Sequence, residues 1–355
     1  MGVIISGIQQ VGVGIPNVQE AFAWYRKAFG MDIPIFDEAA EANRMLPYTD
    51  GKPQSRHAIL AISIQGGGGL EIWQYVSRTP QPATFEVSIG DLGIYAAKIK
   101  SMDVPRTHRE LQSKGLTPGT LQHDPLGNPH FFIKDPYGNL FQIVKEDDWF
   151  NKEPRSTGGI SGAMVGVSDI DASRKLYSDI LGYDQVIYDK EGKFDDIHHL
   201  PGGTDKFRRV LLTHSESRKG AFSKMFGPTS IELIQAKERT PKKIYENRLW
   251  GDLGFIHLCF DINGMSELEE QCKEAGFPFT VDSRGDTGES FDMGEAAGHF
   301  SYIEDPDGTL IEFVETHKIP IMKKIGWYLN LRKRDPEQAL PNWMLKTLAL
   351  GRVRE

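Results

Sequence analysis

The chain has 355 residues, of which 39% are hydrophobic and 25% are charged, and its formal net charge is −8. This composition is ordinary for a soluble globular protein with room for two domains, and the acidic balance argues against a nucleic-acid-binding face. No apolar run approaches the ~18 residues of a membrane span, and the N-terminus lacks a signal-peptide pattern. Two cysteines without a CxxC motif, Cys259 and Cys272, lead us to expect a reducing, cytoplasmic location.

The elements predicted along the chain follow an order that occurs four times. Each unit begins with a strand-like run, continues with an amphipathic helical stretch that ends at a glycine, and then has about three further strand-like runs. A glycine just past a helix supplies its left-handed cap at little steric cost. The four glycines are Gly30, Gly115, Gly182 and Gly276. The sequence therefore predicts four βαβββ modules.

The two halves of the chain repeat each other. The segment DPYGNLFQIV from Asp135 matches DPDGTLIEFV from Asp305, and both are typical of aspartate–proline turns that join two strands. Two further pairs of similar segments occur in the same order in both halves, which indicates duplication of a large unit. We therefore predict two domains, 1–147 and 158–317. An apolar tail, 318–355, is predicted to be helical and to pack on the body.

Modules of this kind with a DPxGxxxE signature resemble the vicinal oxygen chelate superfamily, which includes glyoxalase I, bleomycin resistance proteins and extradiol dioxygenases. The resemblance covers about residues 8–316. It implies an α+β fold in which the four modules pair into two open half-barrel cups, one in each half of the chain, with the helical tail outside them. It also implies that metal ligands project into a cup from the first and last strands of its modules.

The resemblance places the candidate metal ligands in the C-terminal half. Glu232 occupies the last strand of module three, His257 the first strand of module four, and Glu312 the last strand of module four. The first-strand position of module three is Gly162, which cannot ligate through a side chain. We therefore expect Glu232, His257 and Glu312 to converge on one ion, with Glu312 and Glu232 as the candidate catalytic carboxylates.

The N-terminal half is predicted to bind no metal. Its ligand positions hold Gln10, Glu71 and Gln142, and no histidine occupies any of them. Glutamine is a weak neutral ligand, so this cup is interpreted as structural or as a place for substrate. Removing Gln10 or Glu71 is accordingly expected to leave the metal content unchanged.

Four other histidines bear on the site. His198 and His199 belong to the middle strands of module three, and one of them could replace the ligand missing at Gly162, although a surface hairpin is an equally good interpretation. His130 and His299 precede the two repeated aspartate–proline segments. We interpret the two as equivalent positions. Since one of them lies in the half that lacks a set of metal ligands, both are expected to be structural.

One imidazole and two carboxylates suit a divalent ion such as Zn²⁺, Fe²⁺, Mn²⁺, Ni²⁺ or Co²⁺. Three protein ligands leave positions open for water and substrate, and a bound ion could stabilise an enediolate formed by proton abstraction. A glutamate inside an apolar strand is also costly unless it is paired or metal-bound. These arguments favour a metal-dependent lyase or isomerase that acts on a small oxygen-chelating substrate.

Two other functions stay open. An extradiol dioxygenase fits the four-module plan but needs two histidines and one carboxylate, so it would require His198 or His199. A bleomycin-resistance-like protein would bind a small molecule without a metal or a reaction. The expected partner is a small-molecule substrate, with neither nucleic acid nor membrane, and the chain is expected to be a monomer or a homodimer.

Overall fold

The computed structural model describes residues 2–284, 291–293, 296–322 and 327–353. Module one comprises β1 (Ile4–Gly14), α1 (Val18–Phe29), β2 (Ile33–Ala42), β3 (Gln54–Ile62) and β4 (Gly69–Tyr75). Module two comprises β5 (Gly93–Ser101), α2 (Val104–Ser113), β6 (Gln122–His123), β7 (Pro129–Lys134) and β8 (Leu140–Lys145).

Module three comprises β9 (Thr157–Gly166), α3 (Ile170–Tyr177), β10 (Gln185–Gly192), β11 (Phe207–Thr213), the single turn α4 (Ser223–Phe226) and β12 (Ser230–Ala236). Module four comprises β13 (Gly254–Asn263), α5 (Met265–Glu274), β14 (Val281–Asp282), β15 (Phe291–Met293), β16 (Ala296–Glu304) and β17 (Leu310–Met322). Beyond module four lie β18 (Trp327–Asn330) and α6 (Asn342–Lys346). The predicted order of strand, helix and further strands is confirmed in all four modules.

Local sequence signals set the ends of the helices. Asn17 precedes α1, and its side-chain oxygen accepts hydrogen bonds from the backbone N–H groups of Gln19 and Glu20, which would otherwise lack partners. Gly30 ends the helix in the left-handed conformation at φ 72°, as the glycine pattern predicts. Between these ends, the side chains of Tyr25 and its neighbours on one helical face are buried against the sheets.

The strands form two sheets. The first has the order β14-β16-β17-β13-β1-β4-β3-β2, with β15 and β18 added at β16 and β17. The second has the order β10-β11-β12-β9-β5-β8-β7-β6. We call the concave face of the first sheet cup one and that of the second sheet cup two. Cup one is therefore built from modules one and four, and cup two from modules two and three.

The expectation that each half of the chain forms its own cup is wrong. The first strands of modules one and four, β1 and β13, pair antiparallel, and so do β5 and β9 of modules two and three. The connection between modules two and three, 146–156, is short and joins modules of one sheet. The connections 76–92 and 237–253 are longer and carry the chain from one sheet to the other. Sequence repeats identify the modules but do not say which of them pair.

The turns of the repeated segments tie modules together in the same way in both halves. Tyr25 of α1 donates a hydrogen bond of 2.6 Å to the carboxylate of Asp135, and Tyr177 of α3 donates one of 3.0 Å to Asp305. In each turn the other carboxylate oxygen accepts backbone N–H groups of the turn itself. These buried contacts hold each helix over the hairpin of the following module, beside the main hydrophobic core.

The tail packs on the body, but helix makes up only part of it. Its first segment continues β17 and pairs with β18. Helix is confined to α6 and short 3-10 turns beside it. Leu331, Leu340 and Leu345 are buried against Ile62 and Phe226 of the body. In the part of the chain that the structure describes, no helix is long and apolar enough to cross a membrane.

Candidate metal centre

Four adjacent strands at the middle of the first sheet, β4, β1, β13 and β17, carry a cluster of polar side chains. Gln10 lies on β1, Glu71 on β4, His257 on β13 and Glu312 on β17. Gly12 is paired with both Glu71 and His257, while Gln10 and Glu312 are paired with the same residue of β13. The register therefore sets all four side chains on the floor of cup one, although modules one and four are far apart in sequence.

His257 lies between two carboxylates. Its Nε2 is 3.3 Å from Oε2 of Glu71 and 3.1 Å from Oε2 of Glu312. One ligand atom of each residue lies within 4.8 Å of those of the other two. The imidazole is fully buried, and only 12% of the Glu71 side chain and 10% of the Glu312 side chain are exposed. Two of the three predicted ligands, His257 and Glu312, are thus brought together, and Glu71 completes the group.

The electrostatics of the cluster centre on the imidazole. Burial alone would lower the pKa of His257, but the carboxylates of Glu312 and Glu71 outweigh it and raise that pKa to about 10. Burial likewise opposes ionisation of Glu71, yet His257 holds its pKa below the usual value, with smaller help from Arg56 and Gln10. The two carboxylates therefore require a positive charge between them, on the imidazole or on a bound ion.

Gly12 makes room for the imidazole. A Cβ atom at this position would lie 2.5–2.8 Å from three atoms of the His257 ring. Real Cβ atoms do not approach other heavy atoms so closely, so any other residue would push the ring out of its place. The glycine on β1 therefore helps to position the imidazole between Glu71 and Glu312.

The residues present fit a divalent metal ion. Within the described residues, Nδ1 of His257 and Oε1 of Gln10 are buried and have no hydrogen-bond partner. Nε2 of His257 and Oε2 of Glu312 lie 3.1 Å apart but without the geometry of a hydrogen bond. A buried polar atom left in this way costs about 1–3 kcal/mol, which a bound ion would relieve. One imidazole nitrogen, two carboxylates and one amide oxygen form a donor set that first-row divalent ions accept.

Aromatic side chains cover the cluster. The indole of Trp250 lies parallel to the His257 ring, with centroids 6.3 Å apart, and the Tyr302 ring meets the same imidazole edge-on at 5.6 Å. Trp250 belongs to the 237–253 connection and also packs against Trp73 at 4.8 Å. These rings exclude water from the cluster and strengthen the electrostatic interactions within it.

Glu232 does not join this cluster, contrary to the sequence-based expectation. It lies on β12 in cup two, fully buried. Its carboxylate accepts a hydrogen bond of 2.9 Å from Lys98 and one of 2.7 Å from Tyr188, and it forms a 2.7 Å ion pair with Arg209. Burial alone would raise the pKa of Glu232, but Arg209 and Lys98 hold it far below the ordinary value. The buried carboxylate is thus neutralised by protein cations.

The other candidate residues divide between the two cups. His198 and His199 belong to module three and are exposed at cup two, where the His199 ring lies 5.9 Å from that of Phe132. They supply no nitrogen to cup one. Two further polar side chains also divide between the cups: Tyr302 lines the metal cluster, whereas Arg209 forms ion pairs with Glu232 and Asp196 in cup two.

Gln10 and Glu71 were recognised at ligand positions but were assigned to a cup without metal. The signal that could have placed them correctly is the length of the connections between modules, because 76–92 and 237–253 are long enough to cross between sheets and 146–156 is shorter. The two long connections also contact each other, since Leu92 donates a backbone hydrogen bond to Lys242 and accepts one from Ile244.

The fold and this cluster define a protein of paired βαβββ cups with a candidate metal centre in cup one. Two family models, both described as the glyoxalase/bleomycin resistance protein/dioxygenase superfamily, match residues 7–143 and 163–293. Together they span most of the chain and one match falls in each half. The chain belongs to this superfamily, as the resemblance implies.

Solved structures support the same fold. A single-site variant of glyoxalase I from Zea mays is 14% identical, with a TM-score of 0.56, over 87% of this chain and 92% of that one. A putative dioxygenase from Bacillus subtilis is 12% identical, with a TM-score of 0.54, over 88% of this chain and 86% of that one. At such low identity these likenesses establish the fold alone. Comparison with curated protein sequences finds no match.

Proposed function

We propose that the chain is a metal-dependent enzyme of glyoxalase type that moves a proton at the carbon beside a carbonyl group of a small oxygen-bearing substrate. The observation that carries this proposal is the group of Gln10, Glu71, His257 and Glu312 in one cup. An iron-dependent ring-cleaving dioxygenase needs two imidazoles and one carboxylate. Among the described residues, one imidazole lies in this cluster, which favours the lyase or isomerase class.

Gln10, Glu71, His257 and Glu312 would hold the ion, which when bound acts as a Lewis acid that polarises a substrate carbonyl group. Glu71 and Glu312 are the carboxylates available to accept a proton from the substrate and return it. The Tyr302 phenol lies beside Glu312. Burial and then Glu312 raise the pKa of the phenol and keep it protonated, so that it helps to fix the carboxylate as a hydrogen-bond donor. Their burial under aromatic rings keeps bulk water from exchanging the transferred proton.

The proposal is tested with chain stripped of metal and reloaded separately with Zn²⁺, Ni²⁺, Co²⁺, Mn²⁺ and, without oxygen, Fe²⁺. Small α-hydroxy carbonyl compounds and thiol adducts of 2-oxoaldehydes serve as probes, and NMR in deuterated water follows exchange of the hydrogen beside the carbonyl group. We expect metal-dependent exchange that is lost in His257→Ala and Glu312→Gln. The variant Glu232→Gln, altered at a buried carboxylate of cup two, should retain it if folded.

Two outcomes would overturn this assignment in favour of the alternatives. Ring cleavage of a catechol by the Fe²⁺-loaded chain, without proton exchange on any probe, would favour a dioxygenase. Absence of metal binding together with tight binding of a small molecule would favour a sequestering protein. Exchange that persists after metal removal would contradict the role given to the ion.

A further inference from the structure

A second cluster of metal-ligating side chains lies on the other face of the first sheet. His299 on β16 and Glu315 and His317 on β17 have ligand atoms that all lie within 4.8 Å of one another. Successive residues of a strand point to opposite faces. Glu312 and Glu315 are three positions apart on β17, so Glu312 faces cup one and Glu315 faces the helices. The second cluster is therefore separate from the candidate metal centre.

The three side chains converge on one carboxylate oxygen. Oε2 of Glu315 lies 3.2 Å from Nε2 of His317 and 3.9 Å from Nδ1 of His299. The two imidazole centroids are 4.5 Å apart. Only 5% of each histidine side chain and 13% of the glutamate side chain are exposed. Ligands of a tetrahedral ion with bonds of ~2.0–2.1 Å lie about 3.4 Å apart, so modest side-chain rotations would seat an ion between them.

A β-bulge in the backbone of β17 contributes to this arrangement. Gly298 pairs with Thr316 and Ala297 with Lys318, so His317 is the extra residue of a β-bulge in β17. Bulges re-aim side chains, and this one follows Glu315 at the point where β17 runs on towards the tail. The backbone N–H of Gly264, at the start of α5, donates to Oε1 of Glu315 at 2.8 Å. That hydrogen bond orients the carboxylate and leaves Oε2 directed towards the histidines.

The sequence-based interpretation of His299 as the counterpart of His130 is wrong by one residue. His130 is paired with Val144, and the corresponding partner of Val314 in the repeated hairpin is Phe300. His299 therefore corresponds to Pro129, and it lies on the opposite face of its strand from Phe300. The equivalent hairpin of the second sheet lacks this histidine, so a structural role shared by both halves does not explain His299.

We propose that His299, Glu315 and His317 bind a second divalent ion of the Zn²⁺ class, with water completing its coordination. Two imidazoles and one carboxylate match the ligand types that Zn²⁺ prefers. The ion would fasten β16 and β17 to the start of α5, where the chain continues towards the tail. Because the cluster faces away from cup one and each histidine side chain is only 5% exposed, a substrate would have little access to this ion. We therefore assign the ion the role of holding these strands together rather than a catalytic one. The site does not depend on metal binding in cup one.

The test measures Zn²⁺ bound to the metal-free full-length chain in the His257→Ala background, in which the cup-one centre lacks its imidazole. We expect about one equivalent of bound Zn²⁺ and a rise in the thermal midpoint. Adding His317→Gln or His299→Gln should weaken this binding by more than the ~10- to 100-fold that follows from changing a residue that only orients a ligand. The matched control is His214→Gln, at a histidine that hydrogen-bonds the Glu216 carbonyl group at the end of β11, and it should leave the stoichiometry unchanged.

X-ray absorption on Zn²⁺-loaded His257→Ala protein supplies a second readout that needs no further substitution. Two imidazole nitrogens at ~2.0–2.1 Å are expected around the ion. Absence of bound Zn²⁺ in this background, or a bound ion with fewer than two imidazole ligands, would overturn the proposal. So would a folded His257→Ala/His317→Gln chain that binds Zn²⁺ as tightly as His257→Ala alone.

Discussion

The strands of the two cups pair in the same register, but the residues around the carboxylates at equivalent positions differ. Glu71 pairs with the β1 residue Gly12, and Glu232 pairs with Met164 at the equivalent place on β9. Across the cup, cup one has His257 where cup two has Ala96. The other two ligand positions also differ between the cups. They are Gln10 and Glu312 in cup one and Gly162 and Gln142 in cup two.

A buried carboxylate in this fold must be neutralised, and the two cups neutralise it in different ways. In cup two, the ammonium of Lys98 and the guanidinium of Arg209 reach Glu232 directly, and Arg209 also binds Asp196. In cup one, no described lysine or arginine pairs with Glu312, and its buried Oε2 faces the His257 imidazole at 3.1 Å. Cup two therefore carries internal cations where cup one is suited to bind an external one.

The largest effect should follow from removing Arg209, one of the two cations that pair with Glu232 in cup two. Arg209 is fully buried between Asp196 and Glu232, so Arg209→Met leaves two buried carboxylates without it. We expect a loss of about 3–5 kcal/mol in the free energy of unfolding, measured by urea denaturation, with metal content unchanged. Arg208→Met is the control, because the neighbouring Arg208 pairs with Asp171 and Asp189 at the surface and should lose at most about 1 kcal/mol. Equal losses of stability in the two variants would contradict the role of Arg209 as the buried cation that neutralises Glu232 and Asp196.

A smaller effect should follow from crowding the imidazole of cup one. Gly12→Ala places a methyl group against the His257 ring, which must then turn away from Glu71 and Glu312. We expect metal affinity to fall about 10- to 100-fold, the range for a change in a group that orients a ligand. Gly192→Ala on β10, where a Cβ meets nothing within 4 Å, should bind metal as the wild type does. Unchanged affinity in Gly12→Ala would argue against His257 as a ligand.

The last effect is the change of stability with pH under acid conditions. The pKa of Glu232 lies well below its ordinary 4.5 in the folded chain. The stabilisation that it contributes is therefore complete above about pH 4.5 and is lost as the pH falls further towards the folded pKa. In urea denaturation from pH 3 to 7, wild type should be more stable than Glu232→Gln near neutrality, and the gap should narrow below about pH 4.5. A gap that is constant with pH would show that Glu232 is not held ionised by Lys98 and Arg209.

Much of the fold could be predicted because its signals are local. Helix ends at Gly30 and Gly276, and turns at Asp135 and Asp305, depend on short stretches of sequence. The family resemblance then identified Glu71, among other positions, as a ligand position. The pairing of β1 with β13 could not be predicted in the same way, because either arrangement of the four modules satisfies the same apolar periodicity.

The misassignment of Glu232 has a specific physical cause. A glutamate in an apolar strand signals that a cation is needed, but it does not say whether that cation is a metal or a side chain. Lys98 carries the complementary signal, since a lysine within the apolar strand β5 also needs a partner. Lys98 and Glu232 can be recognised as an ion pair only when β5 and β12 are known to lie in the same sheet.

Metal content of the Glu71→Gln and Glu232→Gln variants, measured side by side on folded chain purified without chelator, decides which of the two carboxylates is a metal ligand. The two glutamates occupy equivalent positions, so the substitution is chemically identical and only its surroundings differ. We expect Glu71→Gln to lose the His257-dependent ion and Glu232→Gln to retain it. Loss of that ion in Glu232→Gln with full retention in Glu71→Gln would contradict the account and return the metal centre to the C-terminal half of the chain.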